Sequence, residues 1–170
     1  MSVPAGEAPG HDALDALLLR VGRLNYVWTN TESLLIHLIA GLARVDKDIA
    51  VVIFLTLNTT RARLDLVERL AKMPDVAADR RAAILALTAR FQREAPLRNK
   101  YNHCIYSFDP AGGELRTILM RISDRKDEIR MGKAEAADAR ERASIDAAIA
   151  RIEALNADIW RAVAAFGFPV

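Results

Sequence analysis

Leu97-Arg98-Asn99-Lys100-Tyr101-Asn102-His103-Cys104 gathers an arginine, two asparagines and one of the chain's three histidines into one short run. These residue types suit the chemistry of phosphate esters. RNA carries its own nucleophile, the 2′-hydroxyl. A neutral imidazole accepts that proton near pH 7, and an imidazolium returns one to the leaving oxygen. A guanidinium holds the scissile phosphate through paired hydrogen bonds and offsets charge that builds in the transition state. His103 is therefore the candidate acid/base, Arg98 the candidate phosphate clamp, and Asn99 the group that orients either. On a helix, Asn99 and His103 are four apart and share a face. Arg98 and His103 are five apart, about 140° around the axis, and flank one edge.

Lys100, Tyr101, Asn102 and Tyr106 surround the trio as candidate RNA contacts, the lysine to phosphate and the tyrosines by stacking on bases. Glu32 is a candidate support, placed to pair with Arg98 or to hold His103 in one tautomer. Each has a plainer alternative. The run can be a helix end whose Arg and His bond terminal carbonyls and whose asparagines form the cap. Glu32 can reach back to Thr29 as a capping box. His37, inside Leu34-Leu35-Ile36-His37-Leu38-Ile39, reads as a core histidine with one satisfied nitrogen.

Arg98, the polar Asn99, three further residues and His103, late in a helical segment, resemble the HEPN superfamily motif, R-x4–6-H with Asn, Asp or His after the Arg. The resemblance implies a helical bundle and a metal-independent endoribonuclease. Such a protein would be a toxin or RNA-processing element that works as a homodimer with a protein regulator, its two motifs meeting across the interface. Inactive relatives of the same kind serve as protein- or RNA-interaction modules. Arg98, Asn99 and His103 carry the match; a hairpin-like insert after the motif is a departure from the minimal bundle.

Composition sets the frame. A chain of 170 residues holds one domain with a sizeable core, here expected over residues 11–170 behind a flexible tail of residues 1–10. Hydrophobic content of 52% with only 6% aromatics favours helices over a β-sandwich. Twenty-four basic against 22 acidic residues leave no global basic field, so any RNA contact must be local. The single cysteine, Cys104, excludes an internal disulfide and a multi-Cys zinc site. No metal or cofactor is expected. Lacking a signal peptide pattern and any apolar run long enough to span a bilayer, the chain reads as cytoplasmic and without a membrane partner.

The elements that must position the run follow from periodicity. Leu14, Leu17, Leu18, Val21, Leu24 and Trp28, then Leu34, Leu35, Leu38 and Leu42, predict one long helix, or two in line interrupted at Thr29-Asn30-Thr31-Glu32. A helix from Asp46 to Leu57 is apolar nearly all round and is expected to be the most buried element. Asn58-Thr59-Thr60 caps a third, over Arg61 to Lys72. A fourth, Val76 to Ala95, ends near Pro96 and delivers the chain to Arg98. Cys104 to Phe108, the turn Asp109-Pro110-Ala111-Gly112-Gly113 and Leu115 to Ile122 read as a hairpin, with Ile118, Met120 and Ile122 on one face. Lys126 to Met131 is a third short strand closed by Gly132. A last helix runs from Ala134 to Phe166, its Ile and Leu stripe serving the core or a dimer seam. The fold class expected is mainly α: an up-down bundle of four or five helices with a small hairpin or three-stranded sheet before the last helix.

Overall fold

The apolar spacing that starts at Leu14 builds α1 (Pro9–Ser33) in a computed structural model that describes residues 9–107, 115–125 and 127–170. It is followed by α2 (Leu35–Ala43), α3 (Lys47–Thr56), α4 (Thr60–Ala71), α5 (Ala78–Asn102), β1 (Cys104–Ser107), β2 (Arg116–Arg125), β3 (Glu128–Ala136) and α6 (Ala139–Ala165). The protein is mainly α with a three-stranded antiparallel sheet, ordered β1-β2-β3, before the last helix. Among the described residues there are six helical segments, since the first pattern takes its two-helix alternative. Of the expected tail, residues 1–8 lie outside the described residues, and Pro9 and Gly10 already belong to α1. The turn at Asp109 to Gly113 also lies outside them.

The break in the first pattern comes at Leu34, not at Thr29 to Glu32. Thr31 Oγ1 donates to the Val27 carbonyl at 2.8 Å and Ser33 Oγ to the Asn30 carbonyl at 2.8 Å. These hydroxyls bond back within the helix and keep it going through the polar stretch. The chain then tightens, Leu34 N donating to the Thr31 carbonyl at 3.2 Å, before α2 begins. α2 ends at Arg44, a non-glycine residue in the left-handed region at φ 56°. Thr59 caps α4 as expected, its side chain accepting from Ala62 N at 3.1 Å.

The expectation that the helix from Asp46 to Leu57 is the most buried element is overturned. α3 buries Ala50 and Phe54, one face only, while Ile49, Val52 and Leu55 stand 50%, 65% and 65% exposed. α2 takes the interior position instead, with Leu35, His37, Leu38, Ile39 and Ala40 buried. All-round apolarity permits burial, but a neighbour on every side is needed to provide it.

The chain divides into two compact units: Met1–Asn25 with Leu97–Ile149, and Tyr26–Pro96 with Ala150–Val170. In the first, Leu17, Leu24, Tyr101, Leu115, Ile145 and Ile149 are buried. In the second, Trp28, Leu35, Leu38, Leu64, Ile84, Phe91 and Leu155 are buried, with the Trp28 and Phe91 rings 4.4 Å apart. Each fully buried aliphatic side chain contributes about 1.5–3 kcal/mol relative to exposure.

The sheet departs from expectation in two places. Met120 and Arg121 of β2 stand opposite the single residue Gly132 of β3, a bulge between the Leu119↔Lys133 and Ile122↔Met131 pairs. Of the face expected for Ile118, Met120 and Ile122, the Met120 and Ile122 side chains lie outside the described residues. Gly132 has φ +72°, so it serves the bulge and does not close the strand, which continues to Ala136. The last helix accordingly starts at Ala139. Asp138 Oδ1 accepts from Glu141 N at 2.9 Å, an N-cap spelled in the sequence by Asp138-x-x-Glu141. Among the described residues no helix is long and apolar enough to cross a membrane.

Candidate functional site

α5 does not stop at Pro96. It continues for six residues, so Arg98, Asn99, Lys100, Tyr101 and Asn102 occupy its last turns. His103 lies just beyond, its backbone N donating to the Lys100 carbonyl at 3.3 Å. The shared helical face expected of Asn99 and His103 is therefore not formed as drawn. His103 sits at the exit of the helix and is exposed, as are Asn99 and Asn102.

A helix end leaves its last carbonyls without partners inside the helix. Here Tyr106, from β1, supplies one: its hydroxyl donates to the Tyr101 carbonyl at 3.0 Å, and the Cys104 thiol lies 3.7 Å from the same oxygen. The Tyr101 carbonyl is thus met by Tyr106 and Cys104, and the Lys100 carbonyl by the His103 backbone N. Arg98 is oriented by amides. Its Nη1 donates to Asn99 Oδ1 at 3.2 Å. With the Asn102 amide turned so that both its ends are satisfied, Asn102 Oδ1 accepts from Arg98 Nε at 2.9 Å and Nη2 at 3.0 Å. The Asn102 nitrogen then donates to Asn25 Oδ1 at 2.7 Å, and Asn25 Nδ2 donates to the Val21 carbonyl at 3.1 Å. The two amides fix the direction of the guanidinium.

The residues between the motif's ends do a different job. Lys100 Nζ is 2.5 Å from Glu135 Oε2 and 2.8 Å from Glu141 Oε1, and it is half-buried. Burial alone would lower its pKa, but the hydrogen bonds and charges of the two glutamates outweigh that and raise it. Tyr101 is buried and donates its hydroxyl to Glu141. As placed, Lys100 is committed to two carboxylates and the Tyr101 ring has no open face for a base. Tyr106 is half-buried, its hydroxyl taken by the helix end. Of the residues expected to meet RNA, the structure brings Arg98, Asn99 and Asn102 together and leaves His103 open. It places Lys100, Tyr101 and Tyr106 in the packing of the first unit.

Glu32 accepts from Arg63 Nη1 at 2.8 Å, which is neither the support role for Arg98 or His103 nor the cap on Thr29. His37 is buried and donates from Nδ1 to the Pro169 carbonyl at 2.8 Å, beside the Trp160 ring; a carbonyl only accepts, so the proton is on Nδ1. Asn25, Glu135 and Glu141 are the partners that sequence reasoning missed. Of these only Glu141 had a local signal, the capping spacing from Asp138.

Burial, then the Glu141 hydrogen bond, push the Tyr101 hydroxyl far above its usual pKa near 10. Burial, then the Cys104 thiol, do the same for Tyr106. A pKa raised on folding contributes stability that is complete below the unfolded value and lost as pH rises through the folded one. The first unit is therefore expected to lose stability above pH ~10. The phenolate absorbance of Tyr101 and Tyr106 should appear together with loss of helical circular dichroism. Ionisation of both near pH 10 with the helices intact would show that the cluster is open to solvent.

No family model, curated protein or solved structure matches this chain.

Proposed function

We propose that the protein is a HEPN-like, metal-independent endoribonuclease, with Arg98 as phosphate clamp, His103 as acid/base and Asn99 and Asn102 orienting the guanidinium. The observation that supports this most is the division of labour at the end of α5. Tyr106 and Cys104 cap it, while the motif arginine is aimed by amides and the motif histidine is exposed. That arrangement is wasteful for a structural helix end and suits a phosphate site.

In this reading the imidazole takes the proton of the 2′-hydroxyl, whose oxygen attacks the adjacent phosphorus. The bond to the 5′-oxygen breaks and that oxygen receives a proton. The products are a 2′,3′-cyclic phosphate and a 5′-hydroxyl. Arg98 balances the charge that builds on the non-bridging oxygens. The family resemblance adds a homodimer, in which a second copy brings its own Arg98 and His103 to the substrate; the setting we propose is cytoplasmic.

The second reading is a non-catalytic HEPN-like interaction module. It is favoured by the exposed apolar stripe Ile49, Val52 and Leu55 on α3.

Cleavage of a labelled mixed-sequence RNA in EDTA separates the two. His103→Ala should slow cleavage at least ~100-fold, the usual worth of a positioned acid/base, and wild-type products should carry cyclic-phosphate ends. Equal cleavage by both proteins removes His103 from the mechanism. No cleavage by wild type over a panel of RNAs favours the interaction module.

A further inference from the structure

The second unit carries a groove of 490 Å³ lined by Arg90, Arg93 and Glu94 of α5 and by Arg151, Ala154 and Leu155 of α6. The spacing is the same on both helices: i, i+3, i+4 places each trio on one face. Ala154 and Leu155 supply apolar lining, and the arginines supply charge.

Two of the arginines are held in place. Arg151 makes a two-pronged pair with Glu94, Nε to Oε1 at 2.7 Å and Nη2 to Oε2 at 2.9 Å. Arg90 Nη1 donates to Asp158 Oδ2 at 2.6 Å, and Asp158 also receives Arg161. Arg93 differs. It is exposed, and among the described residues no carboxylate pairs with it. Three guanidiniums thus line the groove with one carboxylate, Glu94, and Asp158 pairs with Arg90 from outside the lining. The excess of positive charge is local, in a chain whose net charge is only +2. Two pre-positioned guanidiniums and one uncommitted one beside the exposed Ala154 match a ligand that is anionic and planar in alternation. Guanidinium binds phosphate oxygens and its flat face stacks on bases.

We propose that this groove binds single-stranded nucleic acid, Arg93 engaging a phosphodiester while a base lies against the exposed Ala154. Naming RNA as the strand rests on the nuclease reading above; the groove's affinity for a polyanion with stacking faces does not.

The test uses a fluorescent 2′-O-methyl oligonucleotide, which has no free 2′-hydroxyl and is not cleaved. Its binding to the full chain is followed by anisotropy across a salt series. For single strands the slope of log K against log salt is about −0.7 for each phosphate neutralised. Arg93→Ala should make the slope shallower by about 0.7 and weaken low-salt binding about fivefold, and Arg93→Glu should weaken it further. Arg69→Ala removes the same charge from exposed α4 and should change neither. Sodium pyrophosphate competing as well as the unlabelled oligonucleotide would overturn the strand and leave a small-phosphate site. Binding that ignores Arg93→Ala and Arg93→Glu, or that falls equally in Arg69→Ala, overturns the groove. So does no binding at low salt. A wild type that binds through Arg93 yet cleaves no RNA overturns the nuclease reading alone.

Discussion

Glu32→Ala is expected to destabilise the protein by about 3–5 kcal/mol, the largest effect of any single substitution considered for this chain. The carboxylate and its partner are nearly out of solvent: the side chains of Arg63 and Glu32 are 17% and 10% exposed. Arg63 is tied down on every side. Its Nη1 bonds Glu32, its Nε donates to the Phe54 carbonyl at 3.1 Å, and its guanidinium lies 3.9 Å over the Phe54 ring. Removing Glu32 leaves a charge that can neither lose its proton nor reach water easily. That uncompensated charge, more than the lost attraction, is the source of the cost. Replacing both partners together, Glu32→Leu with Arg63→Met, should therefore recover most of the loss. Urea unfolding with an unchanged m value is the measurement. A loss under about 1 kcal/mol for Glu32→Ala would mean that water reaches the pair.

Phe168→Ala is expected to cost about 3 kcal/mol, although the residue lies beyond the end of α6. The ring is buried and fills the space over Gly41 in the last turn of α2. A Cβ at position 41 would fall 2.6 Å from Phe168 Cε1 and closer still to Cγ and Cδ1. Nothing else in α2 asks for glycine, which weakens a helix interior by about 1 kcal/mol relative to alanine. The sign of Gly41→Ala should therefore depend on Phe168. In the wild type the methyl group evicts the ring, and stability falls by roughly 1–2 kcal/mol after the helix gain is counted. In the Phe168→Ala background the same substitution should stabilise by up to about 1 kcal/mol. A double-mutant cycle by urea unfolding reads this reversal directly. If the two substitutions add, the ring does not sit on Gly41.

Local signals carried much of the fold. The 3.6-residue spacing of leucines and isoleucines marked the helices, Thr59 announced α4, and the change to β-prone residues after His103 marked the sheet. The sheet's place before the last helix was legible for the same reason. Where reading failed, a local rule met a partner that it does not contain. Pro96 suggested a helix end, yet α5 runs on to Asn102. Lys126 to Met131 looked complete at Gly132, yet that glycine serves a bulge set by pairing with β2.

The candidate site divides along the same line. Arg98, Asn99 and His103 are a matter of residue type and spacing, so the sequence alone was enough to single them out and to suggest phosphate-ester chemistry. Their company was not. Lys100 and Tyr101 look like RNA contacts in a string of letters; in three dimensions Glu135 and Glu141, 35 and 41 residues on from Lys100, claim them. Asn25, far upstream, anchors the amide that aims Arg98. The sequence by itself determined which elements form, since helix and strand periodicity are properties of neighbours along the chain. Only the tertiary structure decided which polar side chains are spent on packing and which remain exposed. That choice depends on charges brought together by folding, and no spacing rule records them.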